Sequence, residues 1–309
     1  MYYVIGIDGG GTKSKAVLTD LHLKTYAECT GGATNFLIKG TEKVSYTLIE
    51  LIGECLETAG IPADDLVYVV LGTTGAGRTE EAEKMKYDFL RICEKENFPV
   101  KSFEVESDAR VALEGAFSGN PGSILIAGTG SIMFGKDSEG EIHRVGGFGR
   151  YIGDEGSGYS IGRKGLTAVA KNFDGRGQNT ALTGLLASKG IKNQQSLITA
   201  VYVDNFDIAS VAPLVIQAAE EGDSVCKTIL NEETDELILH IIAMQKLIKV
   251  DLFKISFTGS LITKDNYYSR LFHNKIKNRT KNVSVVKPDM PPELGAALMA
   301  VQYFISRIA

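Results

Sequence analysis

Short apolar runs separated by glycine turns open the chain. An apolar run at residues 2–8 leads into three glycines at 9–11, and strand-like runs follow at 14–19 and 23–30. A strand, a glycine turn and two more strands are typical of an antiparallel meander. The start of the chain is therefore predicted to form three antiparallel strands.

Helical spacing of apolar residues then alternates with further short apolar runs. Val44, Leu48 and Leu51 share one helical face within residues 42–59, and Gly60 ends this helix. The next predicted elements are a strand at 66–71, a helix at 79–95, a strand at 102–105 and a helix at 108–117. Strands that alternate with helices indicate parallel pairing next to the meander.

The design of the first strands returns after the Asn120-Pro121-Gly122 break. An apolar run at 123–127 leads into the turn Gly128-Thr129-Gly130-Ser131, and strand-like runs continue to residue 145. Helices dominate from 156 to 249, and the remaining predicted elements are strands at 255–258 and 283–287 and a helix at 293–308. The chain is thus predicted to start the same topology twice.

Length and composition limit the class of protein. A chain of 309 residues is too long for one ordinary hydrophobic core, so two domains are expected. The net charge of −5, with no basic block, argues against a nucleic-acid partner. No apolar run approaches the roughly 18 residues of a membrane helix, and the N-terminus lacks the positive segment of a signal peptide. No membrane partner is therefore expected.

Cysteine usage points to a reducing compartment. Cys29, Cys55, Cys93 and Cys226 are far apart and form no C-x-x-C pair. This spacing argues against a zinc site or a disulfide framework. A cytoplasmic location is the simplest expectation.

The first candidate for chemistry is the segment that runs from Asp8 to Lys13. Glycines such as Gly10 and Gly11 let backbone N–H groups approach an anion closely, and Asp8 is suited to hold Mg²⁺ through water. Thr12 and Lys13 are suited to reach phosphate oxygens. The alternative is a plain hairpin whose glycines only satisfy positive φ.

Two commoner phosphate motifs do not fit this sequence. Lys13 follows Thr12 rather than the glycine that the P-loop requires, and Met133 occupies the final glycine position of a dinucleotide fingerprint that starts at Gly128. The turn Gly128-Thr129-Gly130-Ser131 is instead equivalent to the first glycine turn. Two such turns are able to clamp a nucleotide from two sides, and a plain hairpin is again the alternative.

Carboxylates supply the next two candidates. Asp108 follows an apolar strand and suits the base that accepts a proton from an attacking hydroxyl, whereas a helix N-cap is the structural alternative. Asp154 and Glu155 lie in the loop 146–158, where six of thirteen residues are glycine. Such a loop suits binding of sugar hydroxyls, and a flexible loop with helix-capping acids is the alternative.

Together these motifs resemble the BadF/BadG/BcrA/BcrD ATPase family, and within it the N-acetylglucosamine kinases. The resemblance runs in order from Gly6 to about Ala300. It implies an α/β fold with two actin-like (ribonuclease H-like) ATPase domains that flank a nucleotide cleft. The implied domains are 1–118 and 119–292, with a C-terminal helix at 293–309 that is able to pack back on the first.

The resemblance also implies roles for individual residues. Asp108 is implied to be the catalytic base and to hold the reacting hydroxyl, while Asp8 is implied to anchor Mg²⁺ through water. The residues implied to serve ATP are Asp8, Gly10, Gly11, Thr12, Lys13, Thr129, Gly259 and Ser260. The residues implied to line the sugar pocket are Asn35, Asp108, Gly130, Ser131, Gly147, Gly149, Arg150 and Asp154.

The implied activity is phosphorylation of an N-acetylated hexosamine by ATP with Mg²⁺. The sugar is N-acetylglucosamine, N-acetylmuramic acid or both, the expected position is O6, and a homodimer is implied by the resemblance alone. Three positions depart from the animal N-acetylglucosamine kinases, since Phe148 replaces Trp, Arg150 replaces His and Ile132 replaces a polar residue. An arginine there favours an acidic sugar such as N-acetylmuramic acid, whose lactyl group carries a carboxylate.

Three further functions remain open from the sequence. One is an ATP-hydrolysing activator of a 2-hydroxyacyl-CoA or benzoyl-CoA type reductase or dehydratase, which requires cysteines that hold an iron–sulfur cluster. The four cysteines here lie in a predicted strand or in predicted helices, so none is placed as a cluster ligand. The second is a glucosamine kinase, and the third is a non-enzymatic, ATP-gated binding module.

Overall fold

The computed structural model describes residues 1–308, and its internal contacts divide the chain into two compact units. The first unit contains Met1–Pro121 and the chain from Lys287 onward, and the second contains Gly122–Val286. The domain limits expected from the sequence, 118/119 and 292/293, stay predictions.

A five-stranded mixed sheet forms the centre of the first unit. Its strands are β1 (Tyr3–Gly9), β2 (Lys13–Asp20), β3 (Thr25–Gly32), β4 (Leu66–Thr73) and β5 (Phe103–Ser107). The strand order is β3-β2-β1-β4-β5. β1 pairs with β2 antiparallel and with β4 parallel, which confirms the predicted meander and the parallel addition to it.

Helices cover both faces of this sheet. They are α1 (Phe36–Lys39), α2 (Thr41–Ala59), α3 (Thr79–Lys95) and α4 (Asp108–Ala116), with a 3-10 turn at Ala63–Asp65. Strand alternation sends Ile5 and Ile7 to one face, where they join the core formed with α2 and α3. Fully burying a leucine such as Leu48 contributes about 1.5–3 kcal/mol.

The second unit is built on a sheet of the same topology. Its strands are β6 (Gly122–Ala127), β7 (Ser131–Lys136), β8 (Ile142–Gly146), β9 (Phe253–Thr258) and β10 (Val283–Val285). Their order is β10-β9-β6-β7-β8, with β6 antiparallel to β7 and parallel to β9. β6 therefore stands where β1 stands in the first sheet, which confirms the predicted repeat.

A large helical segment separates β8 from β9. Its helices are α5 (Gly158–Phe173), α6 (Leu182–Ala187), α7 (Gln194–Tyr202), α8 (Ala212–Glu220) and α9 (Ser224–Ile248), with a 3-10 turn at Ile208–Val211. Two more helices, α10 (Ser260–Thr263) and α11 (Tyr267–Arg279), connect β9 to β10. Their apolar faces pack into one core with β6 and β9, which includes Leu125 and Ile255.

The last helix, α12 (Pro292–Ile308), returns to the first unit and packs on β1, β4 and α4. Small residues make this contact close. A methyl group at Gly6 would lie 2.1 Å from the carbonyl oxygen of Glu293, and one at Gly295 would lie 2.1 Å from that of Val111. Backbone therefore touches backbone at both positions, as the small residues at 295–297 predicted.

No helix within residues 1–308 is both long enough and apolar enough to cross a membrane.

Candidate functional site

The carboxyl ends of three parallel strands meet at one edge of the first sheet. Asp8 of β1 lies opposite Gly72 of β4, and Thr73 of β4 lies opposite Ser107 of β5. Asp108 follows Ser107 directly. The register therefore brings the two predicted acidic residues, Asp8 and Asp108, to the same edge.

The three glycines between β1 and β2 are not explained by backbone conformation. None of Gly9, Gly10 and Gly11 has positive φ, so the plain-hairpin explanation of these glycines is wrong. A methyl group at Gly9 would lie 2.2 Å from Thr34 Oγ1, so the fold itself excludes a side chain there. A methyl group at Gly11 would meet no atom of the described chain within 4 Å. The fold thus accounts for Gly9 but leaves open space at Gly11.

Buried hydroxyl groups hold this turn in place. Ser14 Oγ donates to the Gly32 carbonyl at 2.8 Å and lies 2.9 Å from Thr34 Oγ1. Thr73 Oγ1 donates to the Thr34 carbonyl at 3.2 Å. Sequence reasoning missed these residues because hydroxyls contact one another across strands that are far apart in the chain. The candidate phosphate ligands Thr12 and Lys13 are exposed beside this supported turn.

Asp8 lies in an unfavourable electrostatic environment for a carboxylate. Burial, followed by the negative charges of Glu293 and Asp108, raises the pKa of Asp8 to about 6. Glu293 is itself buried and forms an ion pair with Lys15, whose Nζ lies 2.6 Å from Glu293 Oε1. Glu293 was not among the predicted site residues, because only the packing of α12 on β1 brings it near.

Asp108 is not the N-cap of a helix, which was the alternative to its role as a base. Ser107 is the N-cap of α4, and its side chain accepts a hydrogen bond from Arg110 N at 3.1 Å. Asp108 Oδ1 accepts from Ala109 N, and Oδ2 accepts from Thr74 Oγ1, both at 2.8 Å. The cap interpretation of Asp108 is therefore wrong. Thr74 is a site neighbour that the sequence did not indicate.

Asn35 carries a polar atom without a partner. It precedes α1 but makes no side-chain capping bond. Its Oδ1 atom is buried and has no hydrogen-bond partner in the described part of the chain. An unsatisfied buried polar group costs about 1–3 kcal/mol, so such an atom marks a position where a ligand can compensate.

The second glycine turn connects β6 to β7 and receives the start of α5. Gly128 N donates to the Gly130 carbonyl at 2.9 Å, while Gly158 N donates to the Gly128 carbonyl at 2.8 Å. Tyr159 N donates to the Thr129 carbonyl at 3.0 Å. Gly128 has no positive φ, and a methyl group there would meet no described atom within 4 Å. Gly128 therefore resembles Gly11, because neither backbone conformation nor a neighbouring atom requires glycine at either position.

The end of β9 closes onto this turn. Gly259 has φ of +101°, and a methyl group on it would lie 2.1 Å from the Ala127 carbonyl oxygen and 3.1 Å from Gly128 N. Ser260 begins α10 immediately afterwards. The structure thus places the predicted nucleoside residues Gly259 and Ser260 next to the second turn.

The loop after β8 is bent by glycine and lies on Ile132. A methyl group at Gly147 would lie 2.3 Å from Ile132 Cδ1, whereas one at Gly149 would meet no described atom within 4 Å. Arg144 donates hydrogen bonds to the carbonyls of Gly146 and Gly147, which fixes the start of the loop.

Buried groups fix the other end of the loop. Gly156 N donates to Glu233 Oε2 at 2.6 Å, and the Tyr268 hydroxyl donates to the Gly156 carbonyl at 2.8 Å. Glu233 is 1% exposed and pairs with Lys164, whose Nζ lies 2.8 Å from Glu233 Oε1. Ser131 is also buried, and its hydroxyl donates to the Glu155 carbonyl at 2.6 Å. Sequence reasoning missed Glu233 and Tyr268 because each comes from a distant helix.

A cavity of about 610 Å³ in the second unit collects several predicted residues. Thr129, Gly130, Arg150 and Asp154 all line it. A methyl group at Gly130 would lie 2.9 Å from Asp154 Oδ2, so the absence of a side chain at Gly130 leaves room for the Asp154 carboxylate. The predicted residues Ser131, Gly147, Gly149, Gly259 and Ser260 do not line this cavity. The polar lining residues to which the sequence assigned no role are Tyr151, Tyr159, Tyr202, Asn205 and Asp207.

The four cysteines are buried within regular elements. Cys29 lies in β3, while Cys55, Cys93 and Cys226 lie in α2, α3 and α9, as predicted. Burial raises the pKa of the Cys93 and Cys226 thiols to about 12. Thiols of this kind remain protonated and are poor ligands for an iron–sulfur cluster. Within residues 1–308, no group of three or more His, Cys, Asp or Glu side chains is arranged to hold a metal.

Solved structures define the class of fold. The chain matches a protein of Chromobacterium violaceum, proposed to be an N-acetylglucosamine kinase, with a TM-score of 0.73, 23% identity and coverage of 98% of this chain and 99% of that one. It matches a hexokinase of the ROK family from Thermus thermophilus with a TM-score of 0.61, 16% identity and coverage of 97% and 99%. The chain therefore shares the α/β fold of these proteins, in agreement with the predicted fold class.

The sequence places the chain within one family of this class. The model of the BadF/BadG/BcrA/BcrD ATPase family matches residues 5–300, so the chain belongs to that family. It is 35% identical over 306 residues to an N-acetylmuramic acid/N-acetylglucosamine kinase of Clostridium acetobutylicum, covering 97% of this chain and 98% of the relative. It is 30% identical over 315 residues to an N-acetyl-D-glucosamine kinase of Dictyostelium discoideum, with 96% and 97% coverage.

Proposed function

We propose that this protein is a kinase that transfers a phosphoryl group from ATP to an N-acetylated hexosamine. The substrates are N-acetylglucosamine, N-acetylmuramic acid or both, and the acceptor is the hydroxyl at O6. The similarity over nearly the whole length to the Clostridium acetobutylicum kinase carries this proposal. A phosphotransferase that acts on an alcohol group is the corresponding class of enzyme.

ATP use follows from membership of an ATPase family. Gly11 and Gly128 support phosphate binding at the two glycine turns, because neither positive φ nor a neighbour within 4 Å requires glycine there. Backbone N–H groups without an adjacent Cβ are well suited to approach phosphate oxygens. We assign phosphate contacts to Gly10, Gly11, Thr12, Lys13 and Thr129. Gly259 and Ser260 are assigned to the nucleoside.

Mg²⁺ fits the acidic edge of the first sheet. Asp8 is partly buried near the negative charges of Glu293 and Asp108, and these charges help raise its pKa to about 6. A cation beside Asp8 would relieve this repulsion. Mg²⁺ usually keeps several waters and takes few protein ligands, which agrees with a single anchoring carboxylate. Bound Mg²⁺ would supply charge neutralisation to the phosphates of ATP.

Asp108 is assigned as the base that accepts the proton of the attacking hydroxyl. Its carboxylate is partly exposed, and Thr74 Oγ1 orients it through a hydrogen bond of 2.8 Å. A general base must reach the proton that it accepts, and the exposed edge of the sheet permits this. Asn35, with its unpaired buried Oδ1, is assigned to the sugar together with Gly130, Ser131, Gly147, Gly149, Arg150 and Asp154.

A sugar panel tests the proposed function. Consumption of Mg-ATP would be measured with N-acetylglucosamine, N-acetylmuramic acid, glucosamine and glucose. We expect strong turnover with at least one N-acetylated sugar, and a fall in kcat of about 10²- to 10⁴-fold in Asp108→Asn. The exposed Asp64 in the same unit supplies a matched control, Asp64→Asn, which should keep full activity.

Three results would count against parts of this proposal. Turnover with glucosamine alone would assign a glucosamine kinase. Nucleotide binding without turnover on any sugar would indicate an ATP-gated binding module. Near-normal activity in Asp108→Asn would remove the role of base from this residue. The position of the new phosphate on the product, read by ³¹P–¹H correlation in NMR, tests O6.

A further inference from the structure

We infer that Arg150 binds a carboxylate carried by the sugar, so that the enzyme accepts acidic N-acetylhexosamines through a dedicated cation. This inference rests on the proposed kinase function and deepens it. N-acetylmuramic acid differs from N-acetylglucosamine by a lactyl ether on O3 that ends in a carboxylate. A residue that recognises this group decides between the two sugars without taking part in phosphoryl transfer.

Arg150 lines the wall of a cavity in the second unit. It follows Gly149 in a turn that is closed by a hydrogen bond of 2.9 Å from Gly153 N to the Gly149 carbonyl. The cavity, of about 610 Å³, is also lined by Thr129, Gly130 and Asp154. The guanidinium therefore shares a cavity with residues that are assigned to phosphate and sugar.

The guanidinium of Arg150 has no acidic partner in the described part of the chain. Its contacts are with the neighbouring Tyr151, whose hydroxyl accepts a hydrogen bond of 3.2 Å from Nη2 and whose ring centroid lies 5.1 Å from the guanidinium carbon. Arg110, Arg270 and Arg279 each pair with a carboxylate of the protein, whereas Arg150, like several other exposed arginines, pairs with none within residues 1–308. Arg150 is thus a cation whose hydrogen-bonding capacity is largely unused by the fold.

Charges of both signs line this cavity: Arg150 is the cation, and the carboxylates are those of Asp154 and Asp207, of which Asp207 Oδ1 accepts a hydrogen bond of 3.1 Å from Ala209 N. The Asp154 carboxylate lies against Gly130, and no hydrogen bond within residues 1–308 joins its side chain to another group. A carboxylate of this kind accepts hydrogen bonds from sugar hydroxyls, but it repels an acidic ligand. A planar guanidinium binds a carboxylate through two parallel hydrogen bonds and offsets that repulsion. Hydroxyls and one carboxylate on the same ligand would satisfy both residues.

Aromatic side chains add a surface for the ring of the ligand. Tyr151 and Tyr202 both line the cavity and are 83% and 82% exposed. Rings of this size present apolar faces, whereas their hydroxyls accept or donate hydrogen bonds. A sugar that carries a lactyl ether provides the apolar and polar groups that such a wall can contact.

Steady-state kinetics with matched ligands test the role of Arg150. Wild type, Arg150→Gln and Arg150→Lys would be assayed at saturating Mg-ATP with N-acetylglucosamine, with N-acetylmuramic acid and with the neutral lactyl amide of the latter. For Arg150→Gln we expect kcat/KM on N-acetylmuramic acid to fall about 10- to 100-fold, mainly through KM, as for loss of a charged hydrogen bond. The loss on N-acetylglucosamine and on the lactyl amide should be smaller, so that the ratio of kcat/KM between N-acetylmuramic acid and each neutral ligand falls about tenfold or more.

Two controls separate charge recognition from other effects. Arg150→Lys should recover part of the activity on N-acetylmuramic acid, because it restores the charge but not the paired geometry. Arg163→Gln removes an exposed arginine that lines a different cavity and should leave both sugars unaffected. The KM for ATP should not change in any of these variants.

Other outcomes would overturn the inference. An equal loss on both sugars, or a raised KM for ATP, would assign Arg150 to the nucleotide or to the common part of the sugar. Wild-type activity on N-acetylglucosamine without activity on N-acetylmuramic acid would refute the acidic subsite and leave the proposed kinase intact. Absence of wild-type activity on both sugars would instead refute the proposed function, and the inference with it.

Discussion

The turn at Gly9–Gly11 and the turn at Gly128–Gly130 have the same place in two sheets of the same topology, but their surroundings differ in charge. Asp8 and Asp108 stand at the edge of the first sheet, where burial, followed by the negative charges of Glu293 and Asp108, raises the pKa of Asp8. The second turn borders a cavity that holds Arg150 as well as Asp154. A repeated backbone design thus supplies the two turns to which we assign phosphate, and the surrounding side chains are acidic at the first turn but of both charges at the second.

The means of support also differ between the two turns. Neutral hydroxyls of Ser14, Thr34 and Thr73 hold the first turn. A buried carboxylate, Glu233, holds the backbone beside the second turn through Gly156. Loss of an interaction made by a buried charged group destabilises a protein more than loss of a neutral hydrogen bond. Mutations at the two turns should therefore change the free energy of unfolding by different amounts.

The largest effect is expected at Glu233. Replacement by Ala leaves the buried Gly156 N–H without its acceptor and removes one of the two carboxylates that pair with Lys164, so the free energy of unfolding should fall by about 1–3 kcal/mol. Chemical denaturation measures this change. Glu232→Ala is the matched control, because Glu232 also lies 2.8 Å from Lys164 Nζ but is 55% exposed. It should cost less than about 1 kcal/mol, and an equal loss in both variants would contradict a special role for Glu233.

The open glycines give the next effect and test whether the two turns share a function. Ala at Gly11 or Gly128 meets no described atom within 4 Å, so stability should change little, while a methyl group in the space assigned to phosphate should raise KM for ATP about 10- to 100-fold. Gly9→Ala supplies the contrast, because a methyl group there lies 2.2 Å from Thr34 Oγ1 and should destabilise the fold. Unchanged ATP kinetics in either open-glycine variant would break the equivalence of the turns.

A smaller effect is expected at Thr74. Thr74→Val removes the hydroxyl that donates to Asp108 Oδ2 at 2.8 Å and should lower kcat about 3- to 10-fold, which corresponds to one hydrogen bond. KM for ATP should stay unchanged, and Thr74→Ser should restore most of the rate. Initial-rate kinetics on the preferred sugar measure this. A loss in the Ser variant as large as in the Val variant would show that the hydroxyl does not act on Asp108.

The smallest expected effect is the pH dependence of stability at Asp8. Its folded pKa of about 6 lies above the ordinary value of 3.8, so the folded state binds the proton more tightly than the unfolded state. The contribution of protonated Asp8 to the free energy of unfolding is therefore lost as the pH rises from about 4 to about 6. Asp8→Asn should be more stable than wild type by about 1 kcal/mol at pH 7.5, after allowance for solvent screening.

Thermal unfolding without nucleotide at pH 4.5 and pH 7.5 checks this sign. The advantage of Asp8→Asn should be smaller at pH 4.5, and its kinase activity should be low at both values. A variant that is less stable than wild type at pH 7.5 would show that the charge of Asp8 is not a source of strain.

Much of the fold was predictable because its signals are local. The helix at 79–95 was predicted with the bounds that the structure gives, and the return of a strand, a glycine turn and a further strand at 123–135 predicted the second sheet. Asp8 and Asp154 were proposed because they stand beside glycine-rich turns, and Asp108 because it follows a predicted strand. Their roles remain proposals, although the structure brings Asp154 together with Arg150 and Thr129.

Other features escaped the sequence because they depend on contacts between distant segments. Aspartate often caps helices, but the N-cap of α4 is Ser107, one residue before Asp108. The Asp108 carboxylate instead accepts a hydrogen bond from Thr74 Oγ1. Positive φ was the alternative explanation for the glycines at 9–11, but none of them has it. Thr34 approaches Gly9 closely, and Gly11 faces open space.

Hydrophobic periodicity and glycine placement were sufficient to establish two α/β units and the positions of their turns, because both act over a few residues of chain. The charge state of Asp8, the anchoring of the loop by Glu233 and the unpaired state of Arg150 required the folded molecule. Burial and Coulomb interactions act through space, so residues such as Glu293 become neighbours of Asp8 only when α12 packs against β1.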